Sequence, residues 1–200
     1  MKLILKFIGL LCIVNTVFLF SPPLTASPDN QEVLKKLVTD GVMFSFNAEP
    51  EKAIPLFNKA LELSPNNKWI LKPRAEAYRK IGDNKKALAD YKKIIDLAQT
   101  KAEKHYETGR MYWAYKKHET VLMEFDKAIN LDKLNANYFH CRGIIKTILG
   151  YYEESIQDYS KAIKLDPNDK EHYLFRAIAY RKLNKIKEAM LDEEMVKKLY

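Results

Sequence analysis

The amino-acid sequence predicts an all-α fold, an α-solenoid built from five helix-turn-helix repeats. Three columns of residues recur every 34 positions without an insertion, and a period of this length is typical of stacked two-helix repeats. The column of small residues contains Gly41, Ala75, Gly109, Gly143 and Ala177. The aliphatic column contains Ile54, Leu88, Leu122, Ile156 and Met190, and the leucine column contains Leu63, Leu97, Leu131, Leu165 and Leu199.

The first 26 residues have the charged, apolar and small-residue order of a secretory signal. Lys2 and Lys6 precede an apolar run, and Pro22, Pro23 and Ala26 follow it. Spanning a bilayer takes roughly 20 apolar residues, and polar residues interrupt this run. We therefore expect an exported, periplasmic or secreted protein with no stable transmembrane segment after cleavage. A membrane-anchored protein with an uncleaved signal is the alternative.

The chain of 200 residues carries a formal charge of +8, a value that by itself favours a nucleic-acid partner. Signal cleavage removes Lys2 and Lys6 but no acidic residue, which leaves +6 on a chain outside the cytoplasm. We therefore expect no nucleic-acid partner. Cys141 is then the single remaining cysteine, so no internal disulfide can form, as suits an oxidising compartment.

Residues 27–33 are expected to form a short linker before a repeat array over residues 34–200. The repeats are counted as 34–67, 68–101, 102–135, 136–169 and 170–200. In each repeat, positions 4, 8 and 11 share one helical face, and so do positions 20, 24 and 27, because residues three and four apart are neighbours on a helix. Small residues at 8, 20 and 27 predict two closely packed antiparallel helices. A single pair leaves apolar faces uncovered, so neighbouring repeats must stack.

Individual repeats depart from this pattern in ways that affect their helices. In repeat 1, Pro55 is expected to kink the start of the second helix. In repeat 2, the first helix is expected to begin near Pro73, because proline is tolerated in a first turn. The turn that leads into repeat 3 has the weakest signals. Position 24 is aromatic in repeats 1 to 4, where it holds Phe57, Tyr91, Phe125 and Tyr159. In repeat 5, Glu193 replaces this aromatic residue, and the polar closing helix predicts a solvent-facing cap.

These columns resemble the tetratricopeptide repeat family, whose 34-residue unit is a helix-turn-helix. The family's aromatic residue at position 11 is matched in four repeats by Phe44, Tyr78, Tyr112 and Tyr180, and Lys146 is the exception. The resemblance covers residues 34–200. It implies a right-handed superhelix with a concave groove along the first helices, and a function in protein–protein interaction.

The resemblance places the groove at positions 2, 5, 9 and 12 of each repeat. Tyrosine, tryptophan and arginine often dominate binding energies, so the aromatic and cationic residues at these positions in repeats 2 to 4 are the candidate ligand-binding residues. They are Trp69, Lys72, Arg79, Tyr106, Arg110, Trp113 and His140. Packing of Trp69 or Trp113 against an adjacent helix is the alternative interpretation.

Arginine occupies position 7 only in the repeats that have aspartate at position 23. The three combinations are Arg74 with Asp90, Arg142 with Asp158, and Arg176 with Asp192. A guanidinium fork suits a carboxylate, so we expect bidentate ion pairs within a repeat or between neighbours. Independent solvated charges are the alternative.

No pattern of residues in the sequence predicts catalysis, a metal site or a cofactor. The four histidines lack the i, i+4 spacing of a helical metal pair, and no glycine-rich phosphate loop is present. Cys141 next to His140 is interpreted as a structural thiol.

The sequence therefore predicts a non-enzymatic scaffold or adaptor that binds a peptide segment of an unidentified protein partner in its groove. The lysines and arginines favour an acidic segment. One alternative is a structural or assembly component of a cell-envelope complex, formed by solenoid packing or self-association. Another is an accessory domain of an enzyme whose catalytic chain is a partner.

Overall fold

The structure is a computed structural model that describes residues 28–199, and the predicted signal over residues 1–26 lies outside that range. Ten α-helices and no strand occur in the described range. The helices of repeats 1 and 2 are α1 Pro28–Phe46, α2 Pro50–Leu63, α3 Lys68–Lys80 and α4 Asn84–Asp96. Those of repeats 3 to 5 are α5 Lys101–Ala114, α6 His118–Leu131, α7 Ala136–Leu149, α8 Tyr152–Leu165, α9 Lys170–Lys182 and α10 Ile186–Lys198. The all-α fold of helix-turn-helix repeats is confirmed.

The chain divides into two compact bodies, one ending at Leu97 and the other beginning at Ala98. The N-terminal body holds repeats 1 and 2, and the C-terminal body holds repeats 3, 4 and 5. In both bodies the two helices of a repeat pack against each other, and the second helix of one repeat packs against the first helix of the next.

The small-residue column lies where the two helices of a repeat meet. A Cβ added to Gly41 would lie 2.7 Å from Phe57 Cε1, and one added to Gly143 would lie 2.8 Å from Tyr159 Cε1. Phe57 and Tyr159 are fully buried. The missing side chain at position 8 therefore makes room for the aromatic ring at position 24, as the periodicity predicts.

The predicted linker over residues 27–33 needs correction, because α1 already begins at Pro28. Asp29 lies in its first turn, where a carboxylate favours the positive end of the helix dipole. Further along α1, Leu34 and Val38 are fully buried and anchor the helix. The segment before residue 34 thus continues the first helix of repeat 1.

The start predicted for the first helix of repeat 2 is also wrong. Helix α3 begins at Lys68, and Pro73 lies inside it. The Asn67 side chain caps the helix by accepting a hydrogen bond from Trp69 N–H at 3.0 Å. This cap and the burial of Ile70 and Leu71 hold the helix together, although Pro73 removes one backbone hydrogen bond.

A capping arrangement defines the start of repeat 3, which the sequence left unsettled. The Thr100 hydroxyl accepts a hydrogen bond from Glu103 N–H at 3.0 Å. The Glu103 carboxylate in turn accepts from Gln99 N–H at 2.7 Å. This reciprocal pattern is a variant of the capping box, and it fixes the first turn of α5.

Candidate functional site

Three arginines connect the two helices of their own repeat. Arg142 Nε donates to Asp158 Oδ2 at 2.9 Å and Nη2 donates to Oδ1 at 2.5 Å, and Asp158 is 3% exposed. The other two pairs have the same two-pronged geometry, Arg74 with Asp90 and Arg176 with Asp192. All three pairs therefore form within a repeat, one of the two arrangements that the sequence left open.

The third guanidinium nitrogen of each arginine reaches the preceding repeat. Nη1 of Arg142 donates to Asp126 at 2.7 Å, and the equivalent acceptors at position 25 are Asn58 for Arg74 and Ser160 for Arg176. Each arginine thus joins three helices, two in its own repeat and one in the repeat before it. This contact connects neighbouring repeats. All three guanidinium nitrogens of each arginine are therefore used in hydrogen bonds within the protein.

The surroundings of these three arginines favour their charged form. Burial lowers the pKa of the Arg142 guanidinium, but the hydrogen bonds and the negative charge of Asp158 outweigh burial, and the net shift is upward. Lys146, the exception in the aromatic column, places its Nζ 2.9 Å from Asp158 Oδ2. Repeat 4 therefore replaces an aromatic contact with a second cation on the same buried carboxylate.

A cavity of about 350 Å³ opens in the C-terminal body between α5 and the start of α7. Its walls come from the first two turns of α5, the first turn of α7 and the connection before α7. The lining residues are Thr100, Glu103, Tyr106, Glu107, Asp132, Asn135, Asn137 and Tyr138. We call this feature the α5–α7 cavity.

Two aromatic rings form the apolar part of the α5–α7 cavity. The Tyr106 and Tyr138 rings lie 5.0 Å apart between centroids, and Tyr106 also stacks on the buried Phe125 at 5.6 Å. The Tyr106 hydroxyl lies 3.3 Å from Cys141 Sγ. Packing on two sides and this polar contact hold the Tyr106 ring in place at the cavity wall.

Three carboxylates line the cavity, those of Glu103, Glu107 and Asp132. Burial raises the pKa of Tyr138, and the negative charges of Asp132, Glu103 and Glu107 raise it further. Arg110 Nη1 lies 3.8 Å from Glu107, and its guanidinium sits 5.4 Å from the Tyr106 centroid. Arg110 thus already makes an ionic contact with a carboxylate and a cation–π contact with an aromatic ring at the edge of the cavity.

The candidate residues on α3 lie in the N-terminal body. Trp69 is 44% exposed, and Lys72 is half-buried. Arg79 donates two hydrogen bonds to Glu76 Oε2, whose other oxygen accepts from the Tyr91 hydroxyl at 2.6 Å. Among these three candidates, Trp69 has the most accessible surface, whereas Arg79 is committed to a network inside repeat 2.

The candidates on α5 and α7 divide differently. Tyr106 lines the α5–α7 cavity and Arg110 lies beside it. Trp113 is half-buried and packs against the core cluster of Val121, Phe125 and Ile145. Trp113 therefore packs against adjacent helices in the structure, which was the alternative interpretation of this residue.

The prediction that His140 contacts a ligand is wrong. His140 is 7% exposed, and its ring packs between Tyr159 at 5.7 Å and Phe175 at 5.2 Å. Burial and the neighbouring His172 lower the pKa of His140 to about 3, so its imidazole is neutral. The stacking of repeat 5 on repeat 4 covers position 5 at this place, which the groove pattern did not anticipate.

Family models match three parts of the chain with the same repeat. The model described as TPR repeat matches residues 145–184, and the model described as tetratricopeptide repeat matches residues 41–67 and 74–101. Together with the helix pairs and their 34-residue period, these matches decide the family. The chain belongs to the tetratricopeptide repeat family. No curated protein matches the sequence.

Solved structures share the fold of this tetratricopeptide repeat protein. A crystal structure of MamA is 23% identical, covers 80% of this chain and 93% of its own, and has a TM-score of 0.52. MamA from Desulfovibrio magneticus RS-1 is 17% identical, with 84% and 95% coverage and a TM-score of 0.52. YrrB, described as a TPR protein with an unusual peptide-binding site, is 15% identical, with 82% and 84% coverage and a TM-score of 0.51.

The family membership makes this chain a protein of the interaction-scaffold class. Within residues 28–199, no helix combines the length and the apolar character needed to cross a bilayer.

The sequence interpretation overlooked the acidic half of the cavity, because it selected aromatic and cationic side chains. Glu103 and Asn137 occupy position 2 of their repeats, so the same positional rule contained them. Asp132 and Asn135 lie in an inter-repeat turn, where that rule gives no signal.

Proposed function

We propose that this protein is an exported, non-enzymatic scaffold that binds a peptide segment of a partner protein at the α5–α7 cavity. The segment is proposed to carry a lysine or arginine side chain into the cavity. This charge is opposite to the acidic segment expected from the overall composition, because three carboxylates and no lysine or arginine line the cavity, although the chain as a whole is basic.

The observation that carries the proposal is the convergence of three carboxylates beside two packed tyrosine rings. A cation that leaves water for this cavity meets negative charge from Glu103, Glu107 and Asp132, and the faces of aromatic rings also attract cations. Asn135 and Asn137 add amide groups that are suited to hydrogen bonds with a peptide backbone. The elements required for side-chain and backbone recognition therefore lie at one place.

A titration with charged peptides tests this proposal. The probes are three fluorescent peptides of equal length that differ only at every third residue, which is lysine, glutamate or norleucine. We expect the lysine peptide to bind most tightly, and its affinity to fall with ionic strength because the attraction is electrostatic. Fluorescence anisotropy measures the dissociation constants.

The matched variants remove two charges inside or outside the cavity. Glu103→Gln with Glu107→Gln is expected to weaken the lysine peptide about tenfold or more, and glutamine preserves the capping oxygen at position 103. Glu153→Gln with Glu154→Gln removes the same charge from an exposed turn of α8 and should leave the affinity nearly unchanged. Equal effects of the two double variants, or preference for the glutamate peptide, would reject the cavity as the binding site.

Export is proposed from the order of charged, apolar and small residues in the first 26 positions. When the full-length chain is produced in a cell with a secretory pathway, the mature protein is expected to begin at Ser27. Mass spectrometry of the intact protein from the extracellular or periplasmic fraction measures this end. Recovery of the uncut chain from the cytoplasm would contradict export.

A structural role in a cell-envelope complex stays a prediction from the sequence.

A further inference from the structure

A second cluster of potential ligand atoms lies at the turn between α8 and α9, outside the α5–α7 cavity. Asp166, Asp169 and His172 each offer one ligand atom, and all three atoms lie within 4.8 Å of one another. Asp166 is exposed, Asp169 is half-buried and His172 is buried. The cluster is therefore reached from solvent through its two carboxylates and ends at an imidazole.

The imidazole of His172 provides the second, independent observation. His172 is 1% exposed, and its Nε2 atom has no hydrogen-bond partner in the described part of the chain. Nε2 lies 3.7 Å from Asp169 Oδ2, too far for a hydrogen bond. A buried polar atom without a partner is costly, so a ligand that satisfies Nε2 would remove that cost.

The other ring nitrogen of His172 is held by a second histidine. His172 Nδ1 lies 3.0 Å from His140 Nδ1, and one of these two nitrogens must carry the proton of a hydrogen bond between them. When His172 donates this proton, its Nε2 bears a lone pair and lies 3.7 Å from Asp169 Oδ2. Such an outer hydrogen bond is the usual way in which proteins fix the tautomer and the ring orientation of a metal-binding histidine.

Both aspartates cap the turn through one carboxylate oxygen each. Asp169 Oδ1 accepts from Glu171 N–H at 2.8 Å, and Asp166 Oδ1 accepts from Asn168 N–H at 3.3 Å. The oxygen nearest the imidazole is the other one of Asp169, Oδ2. The capping bond of Asp169 therefore positions its carboxylate without using Oδ2, the oxygen nearest His172.

We propose that Asp166, Asp169 and His172 form a binding site for a divalent transition-metal ion, with Zn²⁺ as the best fit. Imidazole nitrogen favours zinc and its neighbours over Mg²⁺ and Ca²⁺, which prefer all-oxygen sites. Zinc bonds of about 2.0 to 2.2 Å in tetrahedral geometry separate two ligand atoms by about 3.4 Å. The Nε2 to Oδ2 distance of 3.7 Å is close to that value, and the ligand atoms of all three residues lie within 4.8 Å of one another.

The preceding repeat junction supplies an internal control. The positions 34 residues earlier are Asp132, Asn135 and Tyr138, which keep one carboxylate but have no imidazole. The spacing of two aspartates and a histidine at i, i+3 and i+6 is the sequence signal that a search for histidine pairs misses. The proposal therefore concerns the junction of repeats 4 and 5.

The experiment titrates the full chain with ZnCl₂ by isothermal calorimetry and with CoCl₂ by visible absorption. We expect one Zn²⁺ per chain and cobalt bands of a site with nitrogen and oxygen ligands. Asp166→Asn with Asp169→Asn keeps the capping oxygens but removes both charges, and it should weaken Zn²⁺ more than tenfold. Asp132→Asn should leave the zinc affinity unchanged.

Two results of the titration would overturn the proposal. One is the absence of stoichiometric zinc binding to the wild-type chain, and the other is equal zinc binding by wild type and the double asparagine variant. Nuclear magnetic resonance of the wild-type imidazoles provides a measurement that needs no variant. Zinc should shift the His172 ring signals at stoichiometric concentration, and a shift confined to His105 or His118 would also contradict the site.

Discussion

Replacement of Arg142 by alanine is expected to lower the free energy of unfolding by about 3 kcal/mol. The change removes both hydrogen bonds to Asp158, which is buried in the interface between α7 and α8. Removing one partner of a buried pair leaves the other without compensation, and this cost is larger than the net worth of the pair. Lys146 stays beside Asp158, which keeps the expected loss at the lower end of the range for such pairs.

A double-mutant cycle isolates the interaction. Urea unfolding is measured for wild type, Arg142→Ala, Asp158→Ala and the double variant. We expect the double variant to lose about 2 kcal/mol less than the sum of the single losses, because removal of both charges leaves neither one unpaired. Additive losses would show that the two charges act independently, which was the alternative interpretation of the sequence.

The chain contains a matched exposed pair for comparison. Arg181 Nε and Nη2 donate to the two oxygens of Glu193 at 2.7 and 2.8 Å, with the same bidentate geometry but on the surface. Water and salt screen such a pair, so a cycle on Arg181 and Glu193 should give a much smaller coupling. Equal coupling at both places would show that burial is not the source of the Arg142 effect.

Replacement of Gly109 by alanine is the second change expected to have a large effect, a loss of about 2 kcal/mol in the free energy of unfolding. The added Cβ would lie 2.6 Å from Cε1 and 2.8 Å from Cδ1 of Phe125, a fully buried ring. Alanine in place of glycine favours a helix by roughly 1 kcal/mol, but overpacking in this interface is expected to outweigh that gain. Thermal and urea unfolding measure the difference.

A second substitution tests whether the ring is the cause. Phe125→Leu shortens the side chain that meets the new Cβ, so Gly109→Ala should cost much less in the Phe125→Leu background. Gly150→Ala is the control, because its added Cβ meets nothing within 4 Å and its cost comes from a φ of +87°. If the cost of Gly109→Ala stays undiminished in that background, the packing explanation of the small-residue column is contradicted.

The repeat architecture and the ion pairs could be predicted from the sequence, because both follow from fixed spacing along a helix. Gly143 and Tyr159 are 16 residues apart, as are Arg142 and Asp158, and the same separation recurs in other repeats. A contact that is repeated by a period is visible in a single sequence. The longer α1 could not be predicted, since residues 28–33 precede the first full period.

The candidate site was predictable only in part. Tyr106 lines the α5–α7 cavity, and its position within the repeat determines the helix face on which it lies. His140 occupies the same position one repeat later, yet it is covered by His172 and Phe175 of α9, the first helix of the next repeat. The difference lies in the partners that repeat 5 supplies, and a positional rule contains no information about them. The cavity combines residues from two repeats and a turn, so its negative sign became clear only when their side chains were placed together.

Hydrogen-exchange mass spectrometry with the lysine peptide tests most directly whether the α5–α7 cavity is the interaction site. At saturating peptide, we expect slower exchange at the start of α5 and at the start of α7, with little change in α6 and α8. Glu103→Gln with Glu107→Gln should remove this protection. Protection confined to α6 and α8, or an unchanged pattern in the presence of bound peptide, would show that the peptide binds elsewhere.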